Sequence, residues 1–295
     1  MRKIFSVIIP VYNGEKTIYS TLMSCLRQTY SEFEVLVIDN LSTDKTKQIV
    51  QKISDERINY KYIEQKGRSH ARNIGITLAK NKYLLFLDAD DEIDSNLFMR
   101  AKKILEKGSY SGYCFGTYYN KQNNKQIIRK PLVNWKRIIE VYNPFPINSL
   151  IIENSVVQPF NEKFEYNEDW LFWYENSKNI NIYVDLIYDG AIVNIHGENT
   201  MSNIKLMTEN EMLVRSLIKK DLEYIKRMKN IIYYLKFMCF YLLLSDRTKT
   251  IEVSIRKNFP FIYTFVKWIL KIPFIRIKIS EILEIKKKSN PIMYN

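Results

Sequence analysis

The chain has 295 residues, 46% of them hydrophobic, so it can bury a full core as one large domain or two modest ones. Its three cysteines are widely scattered without metal-ligand spacing, which argues against a cysteine metal site and predicts reduced thiols in a cytoplasmic setting. Residues 1–200 carry a net charge of +2 and residues 201–295 carry +11. The basic character therefore belongs to the C-terminal third, and it predicts an anionic surface as a partner.

Two apolar stretches are too short for secretion or for crossing a membrane. At the N-terminus, Pro10 limits the apolar run to about six residues, below the ~7–15 of a signal peptide. The stretch at 231–244 is interrupted by Lys236 and falls short of the ~20 residues that span a bilayer. We therefore expect neither a signal peptide nor a transmembrane helix.

The first hundred residues alternate between short apolar runs and longer stretches of helical periodicity. The apolar runs predict strands at 5–12, 33–39, 58–64 and 83–90. The stretches between them predict helices at 15–28, 43–53 and 69–79. Near-continuous apolar strands that alternate with helices predict an α/β fold with a parallel sheet covered on both faces.

The alternation loosens after Asp91. The later pattern predicts, in order, a hairpin at 110–130 with its turn at 120–124, a helix at 135–141, a strand at 148–153, a helix at 166–178 and two strands within 180–197. Beyond about residue 203 the apolar residues recur at helical spacing. We therefore predict a domain over 1–203, with halves at 1–93 and 94–203, and a basic helical region over 204–295.

Polar residues follow three of the predicted strands, at 10–13, 38–40 and 88–91. In open α/β sheets, ligands bind beyond the carboxyl ends of the strands, so these residues are expected to share one crevice. In "DADD", Asp88 and Asp90 flank one small residue and can share a hard cation, while Ala89 leaves room for a diphosphate. For 91–94 we favour a different role, a solvated acidic turn at the start of the next helix.

At this point the sequence resembles the family 2 glycosyltransferases, inverting enzymes of the GT-A fold. The resemblance rests on "FSVIIPVYNGEKTI" at the start, "VLVIDNLSTDKT" at 35–46, "GRSHARNIGITLA" at 67–79, "YLLFLDADDEI" at 83–93 and "NEDWLFW" at 167–173. It implies a mostly parallel sheet flanked by helices, with a helical C-terminal extension. It also makes 1–93 the nucleotide-binding half and 94–203 the half with the acceptor and the base.

The resemblance assigns the donor site residue by residue. Pro10 and Tyr12 are expected along the nucleotide, and Asp39 is expected to accept a hydrogen bond from the uracil N3. Arg72 is expected at the diphosphate, where its planar fork suits phosphate oxygens. Asp88 is expected at the ribose or the metal. The family often has Asp-Gly after the residue matching Asp39, and this chain has Asn40 and Leu41 there instead.

The same resemblance assigns the metal and the base. Asp90 is the expected principal ligand of a divalent cation, Mn2+ or Mg2+, and His196 matches a late histidine that reaches the metal or the diphosphate. Asp169 matches the general base that removes the acceptor hydroxyl proton, with Glu168 holding or polarising the site. The alternatives are structural: Asp169 and Glu168 as acids at a helix N-terminus, and His196 as an ordinary strand-end histidine.

The C-terminal segment 256–288 interleaves aromatic and aliphatic residues with Lys and Arg. Such a segment can lie in a bilayer interface, with its cations toward anionic headgroups. The alternative is a helical subdomain that packs on the sheet domain. A nucleic-acid partner is not expected, because no recognised binding motif accompanies the charge.

Together these features predict a cytoplasmic glycosyltransferase, peripheral at the inner face of the plasma membrane. It would move one sugar from a nucleotide-sugar, a UDP-sugar by preference, to a glycan or lipid-linked glycan in bacterial surface polysaccharide synthesis. Two other classes remain open from the sequence. A sugar nucleotidyltransferase would share the sheet and the metal, but it normally opens with a glycine-rich basic loop that this chain lacks. A non-catalytic nucleotide-sugar or nucleic-acid binding protein would bind without turnover.

Overall fold

The computed structural model of the protein describes residues 4–121, 126–195, 203–244 and 247–288. The chain forms two compact units. The first, here called the sheet unit, comprises Met1–Lys136 and Pro144–His196. The second, the helical unit, comprises Arg137–Asn143 and Gly197–Asn295. The boundary predicted at residue 203 and the functional halves stay predictions.

One mixed sheet organises the described part of the sheet unit. Its strands are β1 (Phe5–Val11), β2 (Phe33–Asn40), β3 (Ile58–Ile63), β4 (Tyr83–Phe86), β5 (Glu92–Ile93), β6 (Gly112–Lys121), β7 (Gln126–Arg129), β8 (Leu150–Glu153) and β9 (Ile182–Ile195). Their order is β3-β2-β1-β4-β8-β6-β9-β5, and β7 pairs with β6. The first four strands in this order are parallel, as predicted. In the other half, only β6 and β9 pair in parallel, so the sheet is mixed.

Helices cover both faces of the parallel strands. The helices of the sheet unit are α1 (Ile18–Leu26), α2 (Thr46–Lys52), α3 (Arg68–Leu78), α4 (Leu97–Leu105) and α6 (Glu168–Ser177), and α5 (Trp135–Ile138) begins in this unit. On one face, Phe5 of β1 stacks on Phe98 of α4 at 4.8 Å between ring centroids. On the other face, α3 lies so close to β1 that a Cβ on Gly75 would be 2.3 Å from Ile8 Cγ2.

The two strands predicted within 180–197 form one long strand, β9. Its register against β6 shifts between Cys114 and Gly116, where Val184 and Asp189 are the respective partners. The extra residues of β9 bulge out, and Asp185 accepts hydrogen bonds from the backbone N–H groups of Ile187 and Tyr188. The predicted break is therefore a bulge in a continuous strand. The two-residue β5, which the sequence pattern did not predict, pairs with the second half of β9.

The helical unit contains α7 (Ile204–Asp221), α8 (Tyr224–Lys229), α9 (Ile231–Leu243), α10 (Lys249–Asn258), α11 (Pro260–Ile269) and α12 (Pro273–Lys288). Its core joins α7 and α9 with the last three helices, through buried residues that include Met212, Met238, Ile255, Val266 and Leu283. None of the described helices combines the length and the apolar composition that crossing a bilayer requires.

Candidate active site

The carboxyl ends of β1 and β2 are joined by hydrogen bonds between the loops that follow them. The N–H of Asn13 donates to Ser42 Oγ at 2.9 Å, and Asn13 Oδ1 accepts from the N–H of Thr43 at 2.8 Å. Pro10 lies buried in β1, whereas the ring of Tyr12 is exposed and has Lys66 Nζ 4.5 Å from its centroid. An aromatic face beside a cation at a strand end is a surface on which a nucleotide base can stack.

Asp39 lies at the end of β2 and is almost fully buried. Its Oδ1 accepts from the N–H of Ser42 at 2.8 Å, and its Oδ2 accepts from Tyr60 Oη at 2.6 Å. Burial and the hydrogen bond to Asp39 raise the pKa of Tyr60, so the hydroxyl keeps its proton and donates. Each carboxylate oxygen has two lone pairs, so Asp39, which accepts these two hydrogen bonds, retains capacity for further donors.

Three carboxylates cluster after β4. Asp88, Asp90 and Asp91 each offer an oxygen, and these oxygens lie within 4.8 Å of one another. The intervening Ala89 is held by its carbonyl, which accepts from Thr21 Oγ1 at 2.9 Å. Three hard oxygen donors at this separation fit a divalent cation such as Mn2+ or Mg2+.

The expected solvated role of Asp91 is wrong. Asp91 is buried, its Oδ2 accepts from Asn148 Nδ2 at 3.0 Å, and its Oδ1 accepts from the N–H of Asn194 at 3.1 Å. Burial, followed by the charges of Asp90 and Asp88, raises the pKa of Asp91 well above its ordinary value. A bound cation would offset the cost of holding this buried acid beside two other carboxylates.

Arg72 connects this cluster to α6. Its side chain is 1% exposed; Nη2 donates to Asp88 Oδ1 and Nη1 donates to Glu168 Oε1, each at 2.8 Å. Burial opposes the charged form of Asp88, but the charges of Arg72 and Arg68 outweigh it and lower the pKa of Asp88. Arg72, expected at the diphosphate, thus donates two of its hydrogen bonds to protein carboxylates.

A second arginine, which the sequence reasoning missed, lies one turn earlier on α3. The side chain of Arg68 is 35% exposed, and its Nη1 is 3.6 Å from Glu168 Oε1. Burial lowers the pKa of Arg68, but the carboxylates of Glu168 and Asp88 more than compensate and raise it. The i, i+4 spacing of Arg68 and Arg72 was the available signal, because that spacing places both guanidinium groups on one face of the helix.

Asp169 lies in the first turn of α6, after Asn167 in the left-handed conformation with φ 55°. Its Oδ1 accepts from the N–H of Trp170 at 2.8 Å. Burial and the adjacent charge of Glu168 raise the pKa of Asp169 to about 7, against a smaller opposing effect of Arg72. A half-buried carboxyl with this pKa can hold or release a proton near neutral pH.

The remaining residues of interest are the two histidines and the two tryptophans of α6. His196 follows the last residue of β9 and lies outside the described residues, so its metal role stays a prediction. His70 lies on α3 with its Nδ1 3.1 Å from Glu162 Oε1. Trp170 and Trp173 are buried.

The sequence profile of glycosyl transferase family 2 matches residues 6–168, more than half of the chain. The chain belongs to glycosyl transferase family 2. It is 32% identical over 184 residues to the UDP-Glc:alpha-D-GlcNAc-diphosphoundecaprenol beta-1,3-glucosyltransferase WfgD of Escherichia coli, covering 60% of this chain and 71% of WfgD. It is 30% identical over 201 residues to the poly(ribitol-phosphate) beta-N-acetylglucosaminyltransferase TarS of Staphylococcus aureus, covering 62% of this chain and 35% of TarS.

Solved structures agree with this assignment. A crystal structure of S. aureus TarS 1–349 superimposes with a TM-score of 0.61 at 25% identity, over 81% of this chain and 70% of that one. The mannosyltransferase PcManGT from Pyrobaculum calidifontis, in complex with GDP-Man and Mn2+, gives 0.62 at 14% identity, over 95% and 84%. The predicted family and GT-A fold are therefore confirmed, and the protein is a glycosyltransferase.

Proposed function

We propose that this glycosyltransferase moves one sugar from a UDP-sugar to a glycan acceptor, with inversion and with a divalent cation. One observation carries the proposal. Arg72 joins Asp88 of the three clustered carboxylates, Asp88, Asp90 and Asp91, to Glu168, and the residue next to Glu168 is Asp169, whose carboxyl has a pKa near 7. A cation site and a neutral-pH base are the two groups that this transfer requires.

The donor nucleotide is proposed to bind at the ends of β1 and β2. Tyr12 offers an exposed ring for the base, and Asp39 retains acceptor capacity for the uracil N3–H. Pro10, buried beside it, shapes the strand end. Lys66, which lies over the Tyr12 ring, adds a positive charge to this strand end. The nucleotide part of this assignment rests on the family resemblance, and the contacts named here support it.

The cation is proposed to be held by Asp90 with Asp88 and Asp91, and His196 stays a candidate ligand. Mn2+ or Mg2+ bound there would neutralise charge on the departing diphosphate. The protein's own contribution is to hold the carboxylates in place. Arg72 fixes Asp88 at 2.8 Å, while the carbonyl of Ala89 is anchored by the Thr21 hydroxyl.

Asp169 is proposed as the general base. The acceptor hydroxyl oxygen attacks the anomeric carbon, the bond from that carbon to the diphosphate oxygen breaks, and the hydroxyl proton passes to Asp169. UDP leaves on the face opposite the attack, so the configuration inverts. Glu168 does not face the reaction in this scheme, because its carboxylate is buried against Arg72. It acts as a positioning residue for Arg72 and for the first turn of α6.

The acceptor is proposed to be a lipid-linked glycan at the inner face of a bacterial plasma membrane. Two E. coli relatives, WfgD and WfaP, carry alpha-D-GlcNAc-diphosphoundecaprenol in their names, and this chain covers 71% and 69% of their lengths. On this proposal the sheet unit carries out the reaction, and the basic helical unit meets the membrane.

A donor panel tests the proposal. The full chain, stripped with EDTA, is incubated with UDP- and GDP-sugars, with and without Mn2+ or Mg2+, and the released nucleoside diphosphate is measured. Cation-dependent release of UDP from one UDP-sugar supports the proposal. An anomeric configuration in the transfer product opposite to that of the donor establishes inversion. Donor binding without turnover would mean a binding protein. Formation of nucleoside triphosphate from pyrophosphate would mean a nucleotidyltransferase.

A further inference from the structure

An apolar surface remains exposed on α11, on α12 and on the turn between them. It consists of Phe261, Phe265, Trp268, Ile272 and Phe274, here called the aromatic stripe. The first four residues are spaced by four, three and four positions, so those that lie within α11 share one face of that helix. Phe261 is 89% exposed and Trp268 is 62% exposed.

The opposite face of α11 is already used for packing. Tyr263, Val266 and Leu270 are buried in the core of the helical unit. A helix on the surface of a globular protein needs one apolar face, and α11 has two. The packing of this unit therefore does not use the aromatic stripe, and large exposed apolar side chains that share one helix face mark an interaction site.

Exposed cations occur in the same segment as the aromatic stripe. Lys267, Lys271, Arg276 and Lys278 are all exposed on α11, α12 and the turn between them. Among the described residues, only Lys278 of these four has a carboxylate within salt-bridge distance, Glu281 at 3.5 Å. A second copy of the chain would bring like charges together at this surface, whereas an anionic partner would neutralise them.

We infer that the aromatic stripe docks the protein on an anionic lipid bilayer. Phe and Trp side chains enter the boundary between headgroups and acyl chains, and the flanking Lys and Arg side chains contact anionic headgroups. This docking surface refines the membrane contact proposed above for the helical unit. Only its role in bringing the enzyme to a lipid-linked acceptor rests on that proposed function.

Trp268 provides a direct measurement on the full chain. The other three tryptophans, Trp135, Trp170 and Trp173, are buried, so a change in emission on docking reports Trp268. With vesicles that contain 30% phosphatidylglycerol, the emission is expected to shift to the blue, and added salt is expected to reverse the shift. With pure phosphatidylcholine the binding is expected to be weaker by about fivefold for each engaged cation.

Matched variants separate the aromatic stripe from general surface hydrophobicity. Phe261→Ser with Phe265→Ser is expected to reduce vesicle partitioning at least tenfold. The control is Ile225→Ser with Ile232→Ser, which removes two equally exposed apolar side chains, 69% and 71%, from α8 and α9. The control variant is expected to bind vesicles like the unmodified protein.

Charge variants test the contribution of the Lys and Arg side chains near the aromatic stripe. Lys271→Glu with Arg276→Glu is expected to weaken binding to anionic vesicles by more than 25-fold, at about fivefold for each cation lost. Lys103→Glu with Lys107→Glu, exposed cations of the sheet unit, makes the same change in net charge and is expected to have little effect. Equal losses in both double variants would overturn the inference.

Two further outcomes are decisive. Absence of any vesicle-dependent shift, or an aromatic stripe that instead forms a dimer in analytical ultracentrifugation, would overturn membrane docking. Donor hydrolysis, measured in the same samples, keeps this test distinct from that of the proposed function. Vesicle binding without hydrolysis in any sample would leave the docking surface standing and overturn the enzymatic proposal.

Discussion

Arg72 and Glu168, which are 96 residues apart in the chain, form a buried ion pair with 2.8 Å between Nη1 and Oε1. The other terminal nitrogen of Arg72 holds Asp88 at the same distance. Through this one guanidinium, α3 fixes both the end of β4 and the first turn of α6. The carboxyl of Asp169, next to Glu168, is thereby set relative to the acid cluster.

Removal of Glu168 is expected to be costly in both stability and activity. Glu168→Ala leaves Arg72 buried with one carboxylate partner fewer, which costs about 3–5 kcal/mol of unfolding free energy for a buried pair. Glu168→Gln is expected to fall between Ala and the unmodified protein, because its amide oxygen can still accept. Urea unfolding measures both. Glu106→Ala, which removes an exposed partner of Lys102, is the control and should cost less than about 1 kcal/mol. Equal losses in Glu168→Ala and the control would contradict the assignment.

Asp90→Ala is expected to abolish the metal-dependent part of UDP binding and to stop transfer. The residue is half-exposed at a strand tip, so the far-UV circular dichroism and the melting temperature should stay close to those of the unmodified protein. Calorimetric titration of UDP with and without Mn2+ measures the effect. Glu92→Gln, two residues away and 3.8 Å from Arg27, provides a control acid outside the cluster. Undiminished turnover in Asp90→Ala would remove this residue from the metal site.

Asp169→Asn is expected to retain donor affinity and to lose transfer by about 10²–10⁴-fold, because an amide cannot take the acceptor proton. Donor affinity and the rate of transfer, measured separately, distinguish this from a structural role. Glu165→Gln, an exposed acid in the preceding loop, is the matched control and should be neutral. Parallel collapse of donor binding in Asp169→Asn would make the residue structural.

The parallel half of the sheet could be predicted from the sequence because each of its strands is a complete local pattern. β1 and β2 are buried along their full length, which a continuous apolar run reports directly. β5 has only two residues and depends on its partner strand, and the bulge in β9 depends on the register of β6. Such features are set by pairing with distant residues, so no local pattern reports them.

In the candidate site, too, some residues could be predicted from local sequence and others depend on distant residues. Asp39, Asp88 and Asp90 could be named from their places at strand ends, and the family resemblance pointed to Asp169. The role of Asp91 could not be predicted, because an acid that follows a strand and precedes a helix fits a cap as well as a cation site. Its burial is produced by Asn148 and by Asn194, which is 103 residues away.

The raised pKa of Asp169 predicts opposite pH dependences of stability and of activity. Burial and the charge of Glu168 place this pKa at about 7, against 3.8 ordinarily, so the folded state binds the proton more tightly than the unfolded state. The contribution of Asp169 to stability is therefore present below about pH 4 and is lost as pH rises through about 7. Transfer, which needs the free carboxylate, should rise over the same upper range.

Thermal unfolding in EDTA measures the pH dependence of stability. Asp169→Asn, which never ionises, is expected to melt higher than the unmodified protein at pH 8, and this advantage is expected to shrink at pH 5. The pH profile of kcat/KM measures the pH dependence of activity, and its midpoint should move below 7 when Mn2+ is present, since a nearby cation favours the carboxylate. A melting difference independent of pH would contradict the assigned pKa.

Leu41 occupies a position that favours glycine, and its replacement is expected to stabilise the protein. Its φ is 65°, in the left-handed region, where a non-glycine residue costs about 1–2 kcal/mol. The greater flexibility of glycine in the unfolded chain offsets about 0.5–1 kcal/mol of the relief. Leu41→Gly should therefore raise the unfolding free energy by up to about 1.5 kcal/mol, less the contribution of the lost leucine contacts. Leu41→Ala, which removes the side chain but keeps the strain, is the control. Because both variants lose the same leucine contacts, the difference between their melting temperatures isolates the backbone effect, and an Ala variant as stable as the Gly variant would show that no strain is stored there.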